Sequence, residues 1–123
     1  MLVIRTYVAP SGIEGLGVFA AEAVEAGAVL WRPDPRFDLA IAATERDAGS
    51  PALKDLLDRY SYPCPLRPGI LVYEADNGRF MNHSDAPNTD FSREGKGVAT
   101  RAIAPGEEIT CDYAQFHSGF RGF

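Results

Sequence analysis

Residues 77–91, Asn-Gly-Arg-Phe-Met-Asn-His-Ser-Asp-Ala-Pro-Asn-Thr-Asp-Phe, crowd hydrogen-bond donors and acceptors into one stretch. Apolar residues there follow neither the alternation of a half-buried strand nor the stripe of an amphipathic helix. Polar side chains are costly to bury without partners. The stretch is therefore expected to bind a polar small molecule and to be met by a second segment carrying a later tyrosine. Two sharper chemistries fail on spacing. Cys64, His83, Cys111 and His117 are zinc-type ligands, but no pair has the close spacing of a structural site, so no metal is expected. Ser84 and His83 are adjacent, which keeps them from facing each other as nucleophile and base, and no nucleophile-elbow pattern surrounds them. Gly15-Leu16-Gly17-Val18-Phe19-Ala20 formally fits a dinucleotide fingerprint. Gly27 arrives too soon for a following helix, however, and no second βαβ unit appears. What remains is a plain glycine turn, or a turn whose backbone lies against a ligand.

The surrounding elements read as mostly β. Residues 1–9 are strand formers closed by Pro10-Ser11-Gly12. Strands are also expected at 18–20, up to Trp31, at 70–73, at 89–92, at 97–103 and at 108–113, with turns at Arg93–Gly97 and Ala104–Glu107. Trp31 reads as an anchor in the core or at its edge. Residues 40–60 are the helical candidate. Thr44 offers a cap, Pro51 suits a first turn, and Leu53, Leu56, Leu57 and Tyr60 make one core-facing stripe. The prolines of 61–69 indicate a loop.

The 123 residues suit one domain. The net charge is −5, and residues 74–113 carry most of it, with eight acids against four bases. Direct nucleic-acid binding is disfavoured, whereas a basic peptide would be attracted. A solvated acidic surface accounts for the same charges. Two cysteines make no disulfide framework, and the apolar N-terminal run is too short for a signal peptide or a membrane span. A cytoplasmic protein with reduced thiols is expected.

Three segments taken together resemble the SET domain, the family of S-adenosylmethionine-dependent protein-lysine methyltransferases. They are Gly15-Leu16-Gly17-Val18-Phe19-Ala20; Arg79-Phe80-Met81-Asn82-His83-Ser84 with Pro87-Asn88; and Gly106-Glu107-Glu108-Ile109-Thr110-Cys111-Asp112-Tyr113. The resemblance spans about 3–116 and implies an α+β fold of several small curved sheets, one or two short helices and a C-terminal pseudoknot. A single domain over 1–123 is expected, with 117–123 as an aromatic tail. The sequence departs from the pattern at Asp85, where relatives usually carry cysteine, and no Cys-x-Cys cluster follows Tyr113. The chain looks like a minimal, free-standing SET protein without zinc-binding flanks.

The resemblance assigns Tyr113 as the catalytic residue. It assigns Gly15, Leu16, Gly17, Val18, Asn82, His83 and Tyr113 to the cofactor pocket, with Arg79 and Phe80 as its wall. A competing role for His83 is to staple the knot through its ring, and for Tyr113 to fill the core. Tyr60, Tyr62, Phe91 and Phe116 are candidates for the lysine channel. The implied partner is a lysine-bearing, basic protein or peptide, with S-adenosylhomocysteine as the spent cofactor and no metal. The alternatives are a non-catalytic SET-like module that binds cofactor or peptide without turnover, and a plain β-rich interaction domain. The tail is read as a metal-free lid, a contact with a second copy or a frayed end, and apolar surface left by missing flanks points to a homodimer.

Overall fold

Thr6–Pro10 (β1) and Leu16–Ala20 (β2) form an antiparallel pair in which Val8 lies opposite Val18. The structure, a computed structural model, describes residues 1–93 and 95–115. The chain continues through Val29–Trp31 (β3), Asp38–Ala42 (β4), helices Ala43–Asp47 (α1) and Pro51–Tyr60 (α2), Ser61–Pro63 (β5) and Ile70–Glu74 (β6). A 3-10 turn at Asn77–Phe80 leads into Asn82–His83 (β7). Thr89–Asp90 (β8), Gly97–Ala99 (β9), Glu108–Cys111 (β10) and a second 3-10 turn at Tyr113–Gln115 complete the described elements. The strands make three small sheets, ordered β1-β2-β10-β7, β3-β9-β8 and β4-β6-β5. This is the expected mostly-β architecture with short helices.

Four local expectations need correction. Residues 40–42 belong to strand β4 and are not the start of a helix, because each pairs with β6, Ala40 opposite Val72 and Ile41 opposite Leu71. Thr44 caps nothing. It lies inside α1, whose N-cap Ala42 has no side-chain cap, while Ser50 caps α2 by accepting the Leu53 N–H at 3.2 Å. Pro51 does occupy the first turn of α2, where its missing N–H costs no hydrogen bond. Of the leucine stripe, only Leu57 is buried; Leu56 is 42% exposed. The loop expected over 61–69 begins with β5, which pairs Tyr62 with Val72 at the edge of its sheet.

β10 is the strand on which the fold turns. It runs antiparallel to β2 on one side, with Ile109 opposite Val18, and parallel to β7 on the other, with Cys111 opposite His83. β7 is only two residues long, so its backbone cannot cover the whole of β10. The Asn88 side chain supplies part of the rest. Its Oδ1 accepts the Thr110 N–H at 2.9 Å and its Nδ2 donates to the Glu108 carbonyl at 2.8 Å, as a neighbouring strand would. Asn88 is 1% exposed, and the buried Thr89 adds a bond from its hydroxyl to the Thr110 carbonyl at 2.7 Å. A buried amide with both ends satisfied is stabilising, whereas one left unmatched would cost about 1–3 kcal/mol. Val18, Leu30 and Ile103, with Ile109 of β10 itself, have no exposed surface and form the centre of the core.

Candidate functional site

The parallel register of β7 and β10 brings Tyr113 back beside the Asn82-His83 pair. The Tyr113 backbone N–H donates to His83 Nδ1 at 3.2 Å. Its phenol donates to the Met81 carbonyl at 2.6 Å. Tyr113 is thus held at both ends by the same short segment. Burial, and then the Cys111 and Glu14 groups, push the phenol above its ordinary value, so it stays protonated. With its one proton committed to Met81, the hydroxyl oxygen can act only as an acceptor towards a further partner.

Asn82 joins this segment to the glycine turn. Its Nδ2 lies 3.2 Å from the Glu14 carbonyl, 3.1 Å from the Leu16 carbonyl and 3.0 Å from Glu108 Oε2. Three acceptors around one nitrogen fix the orientation of the amide. Glu108 also accepts from the Ser11 hydroxyl at 2.7 Å. The two glycines serve different needs. Gly15 has φ +46°, which disfavours a side chain, whereas Gly17 is required for space: a Cβ there would lie 2.5 Å from Glu108 Oε2. Gly17→Ala is accordingly expected to destabilise the fold by about 1–3 kcal/mol, since the Glu108 carboxylate that must yield is tied to Ser11 and Asn82. Urea denaturation checks this; stability equal to that of the parent would show that Glu108 swings away without loss.

A cavity of about 1070 Å³ opens between these segments and the β4-β6-β5 sheet. Gly15, Leu16, Arg79, Phe80, Asn82 and Tyr113 line it. Gly17, Val18 and His83 do not: Gly17 and Val18 are buried behind the turn, and both ring nitrogens of His83 face protein groups. Tyr60, Tyr62 and Phe91 also line the cavity, while Phe116 and the tail 117–123 lie outside the described residues. Tyr60 meets Phe80 edge to face at 5.5 Å, and the Arg79 guanidinium sits over the Phe80 ring at 4.4 Å. Phe91 packs edge-on against Trp31 at 5.7 Å.

Trp31 and Glu74 are lining residues that sequence reasoning did not place there. The indole Nε1 donates to Glu74 Oε1 at 2.6 Å. Burial drives the Glu74 carboxyl up to about 7; the Met1 amino group opposes the rise, and Asp76 and Asp38 add to it. The available signal was an acid closing the apolar run Ile70–Tyr73, which a solvent-facing strand end explains equally well. Burial, followed by the charges of Glu74 and Asp38, pushes the Tyr62 phenol upward too. Among the described residues, Glu74 is the sole acid of the 74–113 stretch to line the cavity. Arg59, Arg67, Arg93 and Lys96 also contribute, so the lining is mixed in charge and the acidic excess lies mostly elsewhere. Asp38, Glu74 and Asp76 each bring a carboxylate oxygen within 4.8 Å of the others; among the described residues Cys64, His83 and Cys111 make no such group.

The sequence model of the SET domain matches residues 15–114. The fold is similar to that of Chaetomium thermophilum Polycomb Repressive Complex 2 in an apo, autoinhibited state, with TM-score 0.69 and 24% identity over 92% of this chain and 16% of that one. A humanized mutant of the same complex bound to an inhibitor gives TM-score 0.65 and 22% identity over 92% and 15%. A Plasmodium falciparum protein provisionally assigned as a histone methyltransferase gives TM-score 0.61 and 21% identity over 89% and 93%. The chain thus spans about 15% of the Polycomb chains it matches. No curated protein sequence matches it. The chain belongs to the SET-domain family, whose members are generally S-adenosylmethionine-dependent protein-lysine methyltransferases. No helix among the described residues is long and apolar enough to cross a membrane.

Proposed function

We propose that this protein transfers a methyl group from S-adenosylmethionine to the side-chain amine of lysine in a protein substrate, with residues 3–116 acting as one SET unit. The observation that carries this reading is the convergence of Tyr113, the Asn82 segment and the glycine turn on one cavity with further aromatic walls. The volume suits a cofactor together with an inserted side chain, since sites for drug-sized ligands run to about 300–1,000 Å³. The donor set also fits. Gly15 and Leu16 line the cavity, Asn82 holds that turn in place, and Phe80 with Arg79 forms a flat, cation-backed wall suited to an aromatic base. When bound, S-adenosylmethionine supplies a methyl group already activated on a sulfonium.

The work left to the chain is alignment and exclusion of water. Tyr60, Tyr62 and Phe91 would wall the lysine stem, and their apolar faces favour the neutral amine over the ammonium. The Tyr113 oxygen would accept a hydrogen bond from that amine and orient its lone pair. Tyr113 takes up no proton, because its own is held by Met81 and its phenol is shifted away from ionisation. The substrate class is a lysine-bearing protein or peptide.

Incubation with isotopically methyl-labelled cofactor and a panel of basic peptides and cell-extract proteins tests the reading. A labelled methyl on lysine is expected, detected by mass spectrometry of the digested products. Cofactor binding by calorimetry without transfer to any member of the panel would replace the enzyme with a binding module; no cofactor binding would remove both.

A further inference from the structure

Asp85 stands where the SET family usually carries cysteine, and its side chain is fully exposed. It nevertheless makes a specific contact. Its Oδ1 lies 2.9 Å from His83 Nε2, and the His83 side chain is only 8% exposed. The other ring nitrogen, Nδ1, receives the Tyr113 backbone N–H at 3.2 Å. A backbone N–H can only donate, so Nδ1 must be the bare, accepting nitrogen and the ring proton must sit on Nε2. That is the tautomer a carboxylate at Nε2 favours. The ring of His83 also rests against that of Tyr113, with centroids 5.4 Å apart.

The competing tautomer has a local temptation. Asp112 Oδ1 lies 3.8 Å from Nδ1, too far for a hydrogen bond but close enough to attract a proton placed there. Asp112 is already engaged, accepting the Ala114 N–H at 2.9 Å and so shaping the 3-10 turn that carries Tyr113. If the ring proton moved to Nδ1, the Tyr113 N–H would meet a donor instead of an acceptor, and the turn would lose its tie to β7. His83 is therefore flanked by two carboxylates, and only the one at Nε2 is compatible with the observed seat of Tyr113.

We propose that Asp85 is a positioning residue: by accepting a hydrogen bond from His83 Nε2–H it selects the ring tautomer that anchors the Tyr113 backbone and thereby the phenol at the cavity. Its relevance to methyl transfer rests on the function proposed above; its effect on the histidine does not.

Nitrogen-15 spectra of the His83 ring, with amide exchange at Tyr113, provide the test in the 123-residue chain. The parent is expected to show protonated Nε2 and bare Nδ1. Asp85 is exposed, so Asp85→Ala leaves the core intact. This variant should populate the Nδ1–H tautomer measurably, speed exchange of the Tyr113 amide, and lower kcat about five-fold, the equivalent of one ordinary hydrogen bond, with little change in cofactor KM. Asp85→Asn keeps an acceptor oxygen and should restore most of the parent tautomer. A parent ring protonated at Nδ1, or an Asp85→Ala spectrum identical to the parent, overturns the proposal whatever the activity. A tautomer shift in a protein that transfers no methyl upholds the role of Asp85 and sinks the methyltransferase reading instead.

Discussion

Tyr113→Phe is expected to lower kcat for lysine methylation about 100-fold, the scale of loss seen when a reacting group is held in slightly wrong geometry. The substitution deletes two things at once. The hydroxyl oxygen no longer offers an acceptor to the amine, and the Met81 carbonyl loses the 2.6 Å bond that fixes the ring. The second loss costs about 1 kcal/mol of stability, too little to unfold a domain of this size. Cofactor binding should change far less than kcat, because the glycine turn and Asn82 are untouched. Single-turnover rates with calorimetric cofactor affinities separate the two effects. A kcat within about threefold of the parent would remove Tyr113 from the reaction.

Glu74 carries the second large effect, on stability. Its carboxyl ordinarily titrates near 4.5, and burial lifts it to about 7 in the folded chain. Between those values the folded protein keeps a proton that the unfolded chain has already released. The favourable contribution is therefore complete below about 4.5 and disappears as pH rises to about 7, an overall span on the order of 3 kcal/mol. Glu74→Gln removes the titration while its carbonyl can still accept the Trp31 Nε1–H. The variant should show a flatter dependence of unfolding free energy across that window, and greater stability relative to the parent at pH 8 than at pH 5. Parallel urea titrations of the two proteins measure the difference directly. Equal slopes would mean that Glu74 ionises normally and that water reaches it in the cavity.

The two predictions concern neighbouring parts of one cavity with opposite chemistry. Tyr113 is a neutral oxygen held by hydrogen bonds. Glu74 is an acid held where its charge is poorly solvated, beside an indole and two other carboxylates. Removing the acid should leave the Tyr113–Met81 bond in place, so stability and turnover can be separated by mutation.

Much of this arrangement is legible in the chain itself. The two motifs around Asn82-His83 and Tyr113, read with the glycine turn, led to the family, and the strands at 16–20, 70–74 and 108–111 carry β-forming residues in runs long enough to recognise. Local patterns failed where pairing overrode them. Leu39-Ala40-Ile41-Ala42 suits a helix as well as a strand, and only the presence of β6 alongside decides for the strand. Ser50 displaced Thr44 as the cap because α2 begins at Pro51, after a break at Ala48–Gly49 that periodicity alone did not reveal.

The sequence by itself determined which residue types are available and that the polar stretch must find partners. The meeting with a later tyrosine and the glycine turn was already expected from the chain; tertiary structure alone decided which atoms pair. Asn82 spends its amide nitrogen on the glycine turn and Glu108, His83 faces Asp85 and the Tyr113 backbone, and Trp31 meets Glu74 across 43 positions of sequence. Hydrogen bonds are short and directional, and spacing along the chain does not encode the distances between atoms of segments far apart in sequence. Burial, which sets the titration of Glu74 and Tyr113, likewise belongs to the assembled core and to no single segment.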